Sequence, residues 1–345
     1  MQIEKNKELA LFTTMRVGGP ARFFVSVKNL EEAREALSFA AENKLGVFVL
    51  GGGSNILVSD KGFDGLVIKN EILGLSITQE GVLEGGAGEA WDLAVQKSVE
   101  GRFAGIETLS GIPSSLGGAI VQNIGAYGQT VGDVVESVTA IDMRAFEIKT
   151  LSAKDCGFGY RTSFLKQNPG KYLLTSVKFA LKPGGLPTVT YPDIIKFFQS
   201  NKQAPTLALV RDAVLSVRAR KGHLIMPGFE SYNSAGSYFK NPVVEQKKFD
   251  KIKEELQKCK PPWFWDVGDK VKVAAAALIE SAGFSKGYAL GKVGISSRQA
   301  LTVVNLGGAK ASDIRAFTSN IRQAVKEKFG LNLEEEIIYV GNFNN

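Results

Sequence analysis

Val47-Phe-Val-Leu-Gly-Gly-Gly-Ser-Asn-Ile-Leu-Val58 decides which fold this chain takes. Val47–Leu50 is a short apolar run that favours a strand, and Gly51-Gly52-Gly53 follows at once. In a dinucleotide-binding Rossmann turn such glycines lead from a strand into a helix. Here Ile56-Leu57-Val58 is again β-favouring, and the spacing Gly-x-Gly-x-x-Gly is missing. The cluster therefore joins strand to strand, and any phosphate it holds is held by a backbone nest.

A second glycine-rich stretch, Ser110–Gly128, contains five glycines and one proline, yet Leu116, Ile120, Val121 and Ile124 are interleaved with them. Packed backbone with few side chains lets N–H groups approach a ligand closely. A buried turn between two elements has the same composition, and the residues alone leave both readings open.

Around these stretches the pattern alternates. Arg22–Val27 reads as a strand. Asn29 with Glu32 forms a capping box for a helix carrying Leu30, Ala33, Leu37 and Ala40 at helical spacing. Gly88–Gly101 reads as a helix with Trp91, Leu93, Ala94 and Val95. Val134–Asp142 and Lys171–Leu181 read as strands. Thr206–Arg220 is a helix with Leu209, Ala213, Val214 and Val217 on one stripe and a basic last turn that suits its dipole. Met226–Pro242 is rich in loop residues. An alanine-rich helix is expected over Val271–Ala282, stopped by Gly283. Another is expected over Ser312–Phe329, capped by Ser312 and closed by Gly330, before a last strand at Ile337–Val340. Domain boundaries fall near 72 and 220.

The 345 residues are 44% hydrophobic and 22% charged, ordinary for a globular protein. No apolar run is long enough to span a bilayer, and the first residues lack a signal-peptide core, which makes the cytoplasm the expected compartment. The two cysteines, Cys156 and Cys259, have no metal spacing and are expected to be reduced. A single histidine, His223, excludes multi-histidine metal sites and is expected in a loop. The net charge of +7 is dispersed, which fits an anionic small molecule better than nucleic acid.

Four segments place small and polar residues within apolar surroundings: Leu50–Asn55, Ser110–Gly128, Gly157–Ser163 and Ala235–Pro242. The last two each set an arginine or lysine beside an aromatic ring and a hydroxyl, which suits an anionic, partly planar ligand. On residue types alone, Ser237 is equally a turn cap, Arg161 equally half of an ion pair, and Glu334-Glu335-Glu336 equally a solvated strand edge.

Together these pieces resemble one family. Thr14-Met-Arg-Val-Gly-Gly-Pro20, Leu50-Gly-Gly-Gly-Ser-Asn55, Gln122-Asn-Ile-Gly-Ala-Tyr-Gly128, Gly159-Tyr-Arg161, Ala235-Gly-Ser-Tyr-Phe-Lys-Asn-Pro242 and Leu333–Gly341 follow the order seen in the UDP-N-acetylenolpyruvoylglucosamine reductases of bacterial cell-wall synthesis. The resemblance covers nearly the whole chain and is to the longer type with a tyrosine loop.

The resemblance implies an α+β fold. A PCMH-type (vanillyl-alcohol-oxidase-like) FAD domain, over about residues 15–185, has lobes at 1–72 and 73–219. A substrate-binding α+β domain at 220–328 closes over a sugar nucleotide, and the strand 329–345 carries a catalytic glutamate. The cofactor contacts implied are Gly51, Gly52, Gly53, Ser54, Asn55, Ser110, Gly111, Ile112, Pro113, Gly117, Gly118, Asn123, Gly125, Ala126 and Arg161.

NADPH is the implied reductant, with no metal, nucleic acid, membrane or obligate protein partner. Ser237 is the implied proton donor. Arg161 would hold the substrate carboxylate, and Glu336 would hydrogen-bond the developing enediolate. The family usually has a proline just before its catalytic glutamate. Here Glu335 fills that place, and the spacing to Ile337 and Gly341 favours Glu336 for the role. Tyr127, Tyr160, Tyr191, Arg218, Lys221, Lys240, Asn241 and Gln299 are the implied substrate contacts. The alternatives are a PCMH-type flavin oxidase of a small hydroxylated molecule and a non-catalytic nucleotide-binding protein.

Overall fold

The computed structural model describes residues 1–225, 227–257 and 263–343. Cys259 and Met226 lie outside them. The chain forms two compact units: Met1–Lys7, Ala21–Gly53 and Phe63–Ala219 make one, and Glu8–Pro20, Ser54–Gly62 and Arg220–Asn345 make the other. This division is not contiguous in sequence. The expected second lobe, 73–219, falls wholly in the first unit, whereas the expected first lobe, 1–72, is divided: residues 8–20 and 54–62 belong to the second unit. The terminal segment 329–345 belongs with 220–328.

The first unit contains two sheets. In one, Pro20–Val27 and Gly46–Leu50 both pair in parallel with Phe63–Asn70. The helix Leu30–Glu42 crosses between the first two and buries Ala33, Ala36, Leu37 and Ala40. Asn29 Oδ1 accepts the Glu32 N–H at 2.9 Å, and Glu32 reaches back to the Lys28 N–H at 2.7 Å. Leu30, expected on the buried stripe, is exposed, and Ala36 takes its place.

The second sheet is antiparallel, ordered Ile148–Ser152, Val135–Asp142, Tyr172–Ala180, Val82–Gly86, Leu75–Ile77. Helices Trp91–Glu100 and Leu116–Gln122 supply the core against it. Trp91 is fully buried, edge-on to Phe179 at 6.0 Å, with its indole N–H donating to the Leu109 carbonyl. Leu93, expected to be buried, faces out. Helices Pro192–Asn201 and Leu207–Arg220 pack through Ile194, Phe198, Val210, Ala213, Val214 and Val217.

The second unit has a four-stranded antiparallel sheet, ordered Ser234–Ser237, Thr302–Asn305, Val293–Ile295, Ala289–Leu290. A three-stranded sheet has Lys270–Val273 between Val243–Glu245 and Phe264–Val267. Ile338–Val340 pairs in parallel with Ile56–Val58. The helix expected from Val271 begins only at Ala275. Lys270–Val273 alternates exposed and buried residues, and that period of two makes it a strand despite the alanines that follow.

The long helix runs from Ala311 to Phe329. Ser312 does not cap it. The Asp60 carboxylate does, accepting the Ala311 and Ser312 N–H groups at 2.7 and 3.0 Å. Met226–Pro242, read as loop, contains the short strand Ser234–Ser237. Among the described residues, no helix is long and apolar enough to cross a membrane.

Candidate active site

In the first unit the two glycine-rich stretches meet. A Cβ on Gly51 would lie 2.6 Å from Ser115 Oγ, and one on Gly52 would lie 3.2 Å from the Ser115 nitrogen. A Cβ on Gly118 would lie 2.9 Å from Ser114 Oγ. Any side chain at these positions would fill the space, so the surface is backbone, as a diphosphate requires. Ser110–Gly128 is ordered by the short helix Leu116–Gln122, with Ser115 Oγ accepting the Gly118 N–H at 3.2 Å.

Lys69 donates to the Gly51 carbonyl at 2.6 Å. Because the peptide is planar and trans, this turns the Gly52 N–H the opposite way. Burial pulls the Lys69 ammonium below the usual lysine range. Among the expected contacts, Gly111, Gly117, Gly118 and Asn123 use their N–H groups internally, Asn123 toward the Ile120 carbonyl. Gly111 donates to Asp92 Oδ1 at 2.6 Å, Gly117 to the Ala87 carbonyl, and Gly118 to Ser115. They shape this wall. Ser110 is fully buried and its hydroxyl donates to the Glu107 carbonyl, while Ile112 and Pro113 follow the turn at Ser110–Gly111.

Asn123 sits in the left-handed region at φ 48°. Its amide donates to the Gly159 carbonyl at 2.8 Å and its Oδ1 accepts the Gly132 N–H at 3.0 Å. Gly159 and Thr162 exchange backbone hydrogen bonds around Arg161, which is itself at φ 54°. Ser163 Oγ donates to the Val121 carbonyl, and Lys166 Nζ donates to Gln122 Oε1 and to the Arg161 carbonyl. The Arg161 turn is thus tied to the helix that lines the backbone wall. A Cβ on Gly125 would lie 3.6 Å from Arg161 Nη1, and Ala126 accepts at its carbonyl from Thr108 Oγ1.

Arg218 lies in the same unit, with only 7% of its surface exposed. Burial pulls its guanidinium below the usual arginine range, opposed by a hydrogen bond to Tyr127 and by the Asp92 charge. Tyr127 stands edge-on to Tyr191, centroids 5.1 Å apart. Burial, then the Asp193 charge, raises the Tyr191 phenol. Arg211 holds Asp92 through two hydrogen bonds of 2.7 Å. Tyr127, Tyr191 and Arg218 therefore form one cluster, close enough for the Arg161 charge to act on Arg218. Tyr160 is exposed beside Arg161, ring to guanidinium 5.9 Å. Asp92, Arg211 and Lys69 went unrecognised in the sequence. Arg211 and Arg218 are seven residues apart on one helix, hence on one face, and that spacing was the available signal.

In the second unit, Ser237 ends a strand and pairs with Thr302. Between Ser234 and Ser237 the strand carries one extra residue, and Gly236 takes φ 72° there. Such a bulge re-aims the side chain that follows it. Tyr238 donates its N–H to Leu301, and its carbonyl accepts the Glu336 N–H at 2.8 Å. Lys240 donates to the Glu334 carbonyl at 2.9 Å, and Phe239 bridges to Glu335. Residues 238–240 thus run antiparallel to 334–336.

Asn55 donates from Nδ2 to the Glu336 carbonyl at 3.2 Å and accepts the Ile338 N–H at 3.0 Å. Ser54 precedes it in the same unit. Lys240 Nζ forms an ion pair with Glu334 at 2.5 Å, and Asn241 Oδ1 accepts the Ala275 N–H at 2.9 Å at a helix start. Gln299 lies 3.2 Å from His223, which is in a loop that Lys221 also occupies.

A family model for the UDP-N-acetylenolpyruvoylglucosamine reductase C-terminal domain matches residues 229–340, and one for an FAD binding domain matches residues 21–150. A UDP-N-acetylenolpyruvoylglucosamine reductase of Thermobifida fusca is 38% identical over 98% of each chain. That of Dechloromonas aromatica is 37% identical over 99% of this chain and 100% of its own. The crystal structure of the Thermus caldophilus reductase superposes with a TM-score of 0.68 at 27% identity, covering 99% of each chain. With backbone-lined glycine stretches in one unit and the Ser237 and Glu336 segments paired in the other, this chain belongs to the UDP-N-acetylenolpyruvoylglucosamine reductase family.

Proposed function

We propose that the chain reduces the enolpyruvyl group of UDP-N-acetylenolpyruvoylglucosamine with NADPH, forming UDP-N-acetylmuramate for peptidoglycan precursors, and that Ser237 supplies the proton. FAD, when bound, would supply the hydride chemistry that links NADPH to the substrate double bond. Gly51–Gly53 and the Ser110–Gly128 backbone would hold its diphosphate. Similarity to reductases along the whole chain favours this reading over the oxidase alternative. With NADPH as reductant, the cytoplasm is the proposed compartment.

Hydride arriving at one carbon of the double bond leaves an electron pair on its neighbour, spread into the carboxylate. A guanidinium stabilises that charge, and Arg161 is assigned to it. Glu336 would hydrogen-bond the enediolate, and Ser237 would deliver a proton to carbon, completing the reduction. A hydroxyl is too weak an acid for most bases, but a carbanionic carbon is strong enough to take its proton. Tyr191, Tyr127 and Arg218 would contact the nucleotide, with Tyr160, Lys221, Lys240, Asn241 and Gln299 as further contacts. The observation that carries the reading is the bond from the Glu336 N–H to the Tyr238 carbonyl. It fixes the residue after Ser237 against the residue proposed to hydrogen-bond the enediolate.

The test separates two half-reactions. Ser237→Ala should leave reduction of the flavin by NADPH unchanged and slow reoxidation by the enolpyruvyl substrate by about two to four orders of magnitude, the usual worth of a positioned acid. Equal losses in both steps would overturn the assignment.

A further inference from the structure

A carboxylate outside the proposed chemistry sits at the base of the segment that carries Tyr191. Glu107 is fully buried, in the short helical turn Glu107–Leu109 that precedes Ser110. Its Oε1 accepts the Gln129 Nε2–H at 2.9 Å and the Thr188 N–H at 2.8 Å, and its Oε2 accepts the Gly105 N–H at 2.8 Å. Gln129 is buried beside it. Its Oε1 accepts the Thr108 N–H at 2.9 Å and lies 2.7 Å from the Thr108 hydroxyl, and its Nε2 also donates to Thr188 Oγ1 at 3.1 Å.

A backbone N–H only donates, so the Gln129 oxygen must face Thr108 and the amide nitrogen must face Glu107 and Thr188. Thr188 is thus held twice, through its N–H by Glu107 and through its hydroxyl by Gln129. An apolar side chain in place of Glu107 would fill the same space and leave the Gly105 and Thr188 N–H groups without this acceptor.

Both partners of Glu107 lead to one place. Gln129 pairs with Ala126 in a hairpin whose two-residue turn, Tyr127-Gly128, has φ of 50° and 97°. Positive φ at both positions belongs to the type I′ turn of tight hairpins, and it sets Tyr127 at the tip. Thr188 precedes Tyr191 within a stretch, 185–190, that is neither helix nor strand and where Leu186 is 90% exposed. A Cβ on Gly128 would lie 2.3 Å from Thr190 Oγ1, so the hairpin turn and this stretch are in contact. The Tyr127 and Tyr191 rings meet edge-on beyond it.

We propose that Glu107 is a positioning residue for substrate binding: with Gln129 it anchors Thr188 to the hairpin and so holds Tyr191 against Tyr127. The proposal rests on the nucleotide contacts assigned to Tyr127 and Tyr191. A segment out of place about nine-tenths of the time weakens apparent affinity about tenfold and leaves the bound state's chemistry alone. Glu107→Ala should therefore raise the half-saturating concentration of UDP-N-acetylenolpyruvoylglucosamine, in reoxidation of the NADPH-reduced flavin, about tenfold. The rate at saturating substrate, the NADPH step and the flavin content should stay within about twofold. Amide exchange in a peptide spanning Thr188–Tyr191 should rise about tenfold, while that of Tyr172–Ala180 stays unchanged.

Thr188→Val keeps the shape of the side chain and loses its hydroxyl, so it decides the matter if Glu107→Ala does not fold. The half-saturating concentration and the same exchange should then each rise about threefold. In a Tyr191→Ala background, Glu107→Ala should add less than about twofold, because it acts through that ring. Unchanged exchange over Thr188–Tyr191, a loss shared equally by the NADPH step, or a further rise of about tenfold in the Tyr191→Ala background would overturn the proposal. So would an unchanged half-saturating concentration in Glu107→Ala where Tyr191→Ala raises it. If Tyr191→Ala alone leaves that concentration unchanged, the fault lies with the role given to Tyr191, and the exchange measurement decides the anchor.

Discussion

At the scale of single residues, Gly51 ties conformation to cofactor. An alanine there would put a methyl group 2.6 Å from Ser115 Oγ. Relieving such a clash costs roughly 1–3 kcal/mol and displaces one loop from the other. Gly51→Ala should therefore lower the flavin content of purified protein to below about half, read from absorbance near 450 nm against 280 nm. Full flavin occupancy would remove Gly51 from the cofactor wall. Cys156 offers an independent check. It is buried, and burial, with the Asp155 charge, pushes its thiol up to about 11. Iodoacetamide at pH 8 should leave the Cys156 peptide unmodified in native protein and modify it after denaturation, as read by mass spectrometry. The glycines were legible in the sequence because only backbone could explain them among apolar neighbours. Lys69 was not, because its role depends on a carbonyl reached across neighbouring strands.

At the scale of elements, the sequence yielded strands and helices well where one period dominated, as in Leu30–Glu42 and Tyr172–Ala180. It misled where a short alternation abutted a helix, at Val271–Val273. The caps divided in the same way. Asn29 is local and readable, whereas Asp60 reaches its helix from far away in sequence. Burial opposes ionisation of Asp60, but the bonds from Ser312 and Ala311 hold its carboxyl below the usual range. Asp60→Ala should cost about 1 kcal/mol, as lost caps do, and raise amide exchange in the first turn of Ala311–Phe329. Unchanged exchange there would deny the cap.

Asp92 and Arg211 join the helices Trp91–Glu100 and Leu207–Arg220. Burial raises the Asp92 pKa, yet the Arg211 and Gly111 hydrogen bonds and the Arg211 and Arg218 charges leave it lowered. A carboxyl depressed by folding gives stability that is complete above its unfolded value, about 4, and lost as pH falls through the lower folded value. Arg211→Met should therefore cost about 1–2 kcal/mol at pH 7, and the gap to wild type should shrink below about pH 4. A gap constant with pH would mean that packing, not charge, sets it.

At the scale of the whole molecule, the order of motifs along the chain was readable, and it implied the family before any coordinate did. The division into units was not, since segments 8–20 and 54–62 join the second unit through pairings such as Ile56–Val58 with Ile338–Val340. No local pattern announces a strand whose partner lies near the other end of the chain. The chemistry assigned to the molecule makes one direct demand: it must carry electrons from NADPH to the enolpyruvyl sugar nucleotide through bound flavin. Anaerobic visible spectroscopy reads both transfers in one cuvette. The account predicts a yellow protein that NADPH bleaches near 450 nm and that UDP-N-acetylenolpyruvoylglucosamine then restores to yellow. A protein that takes up no FAD, or whose bleached flavin stays bleached when the substrate is added, would contradict it.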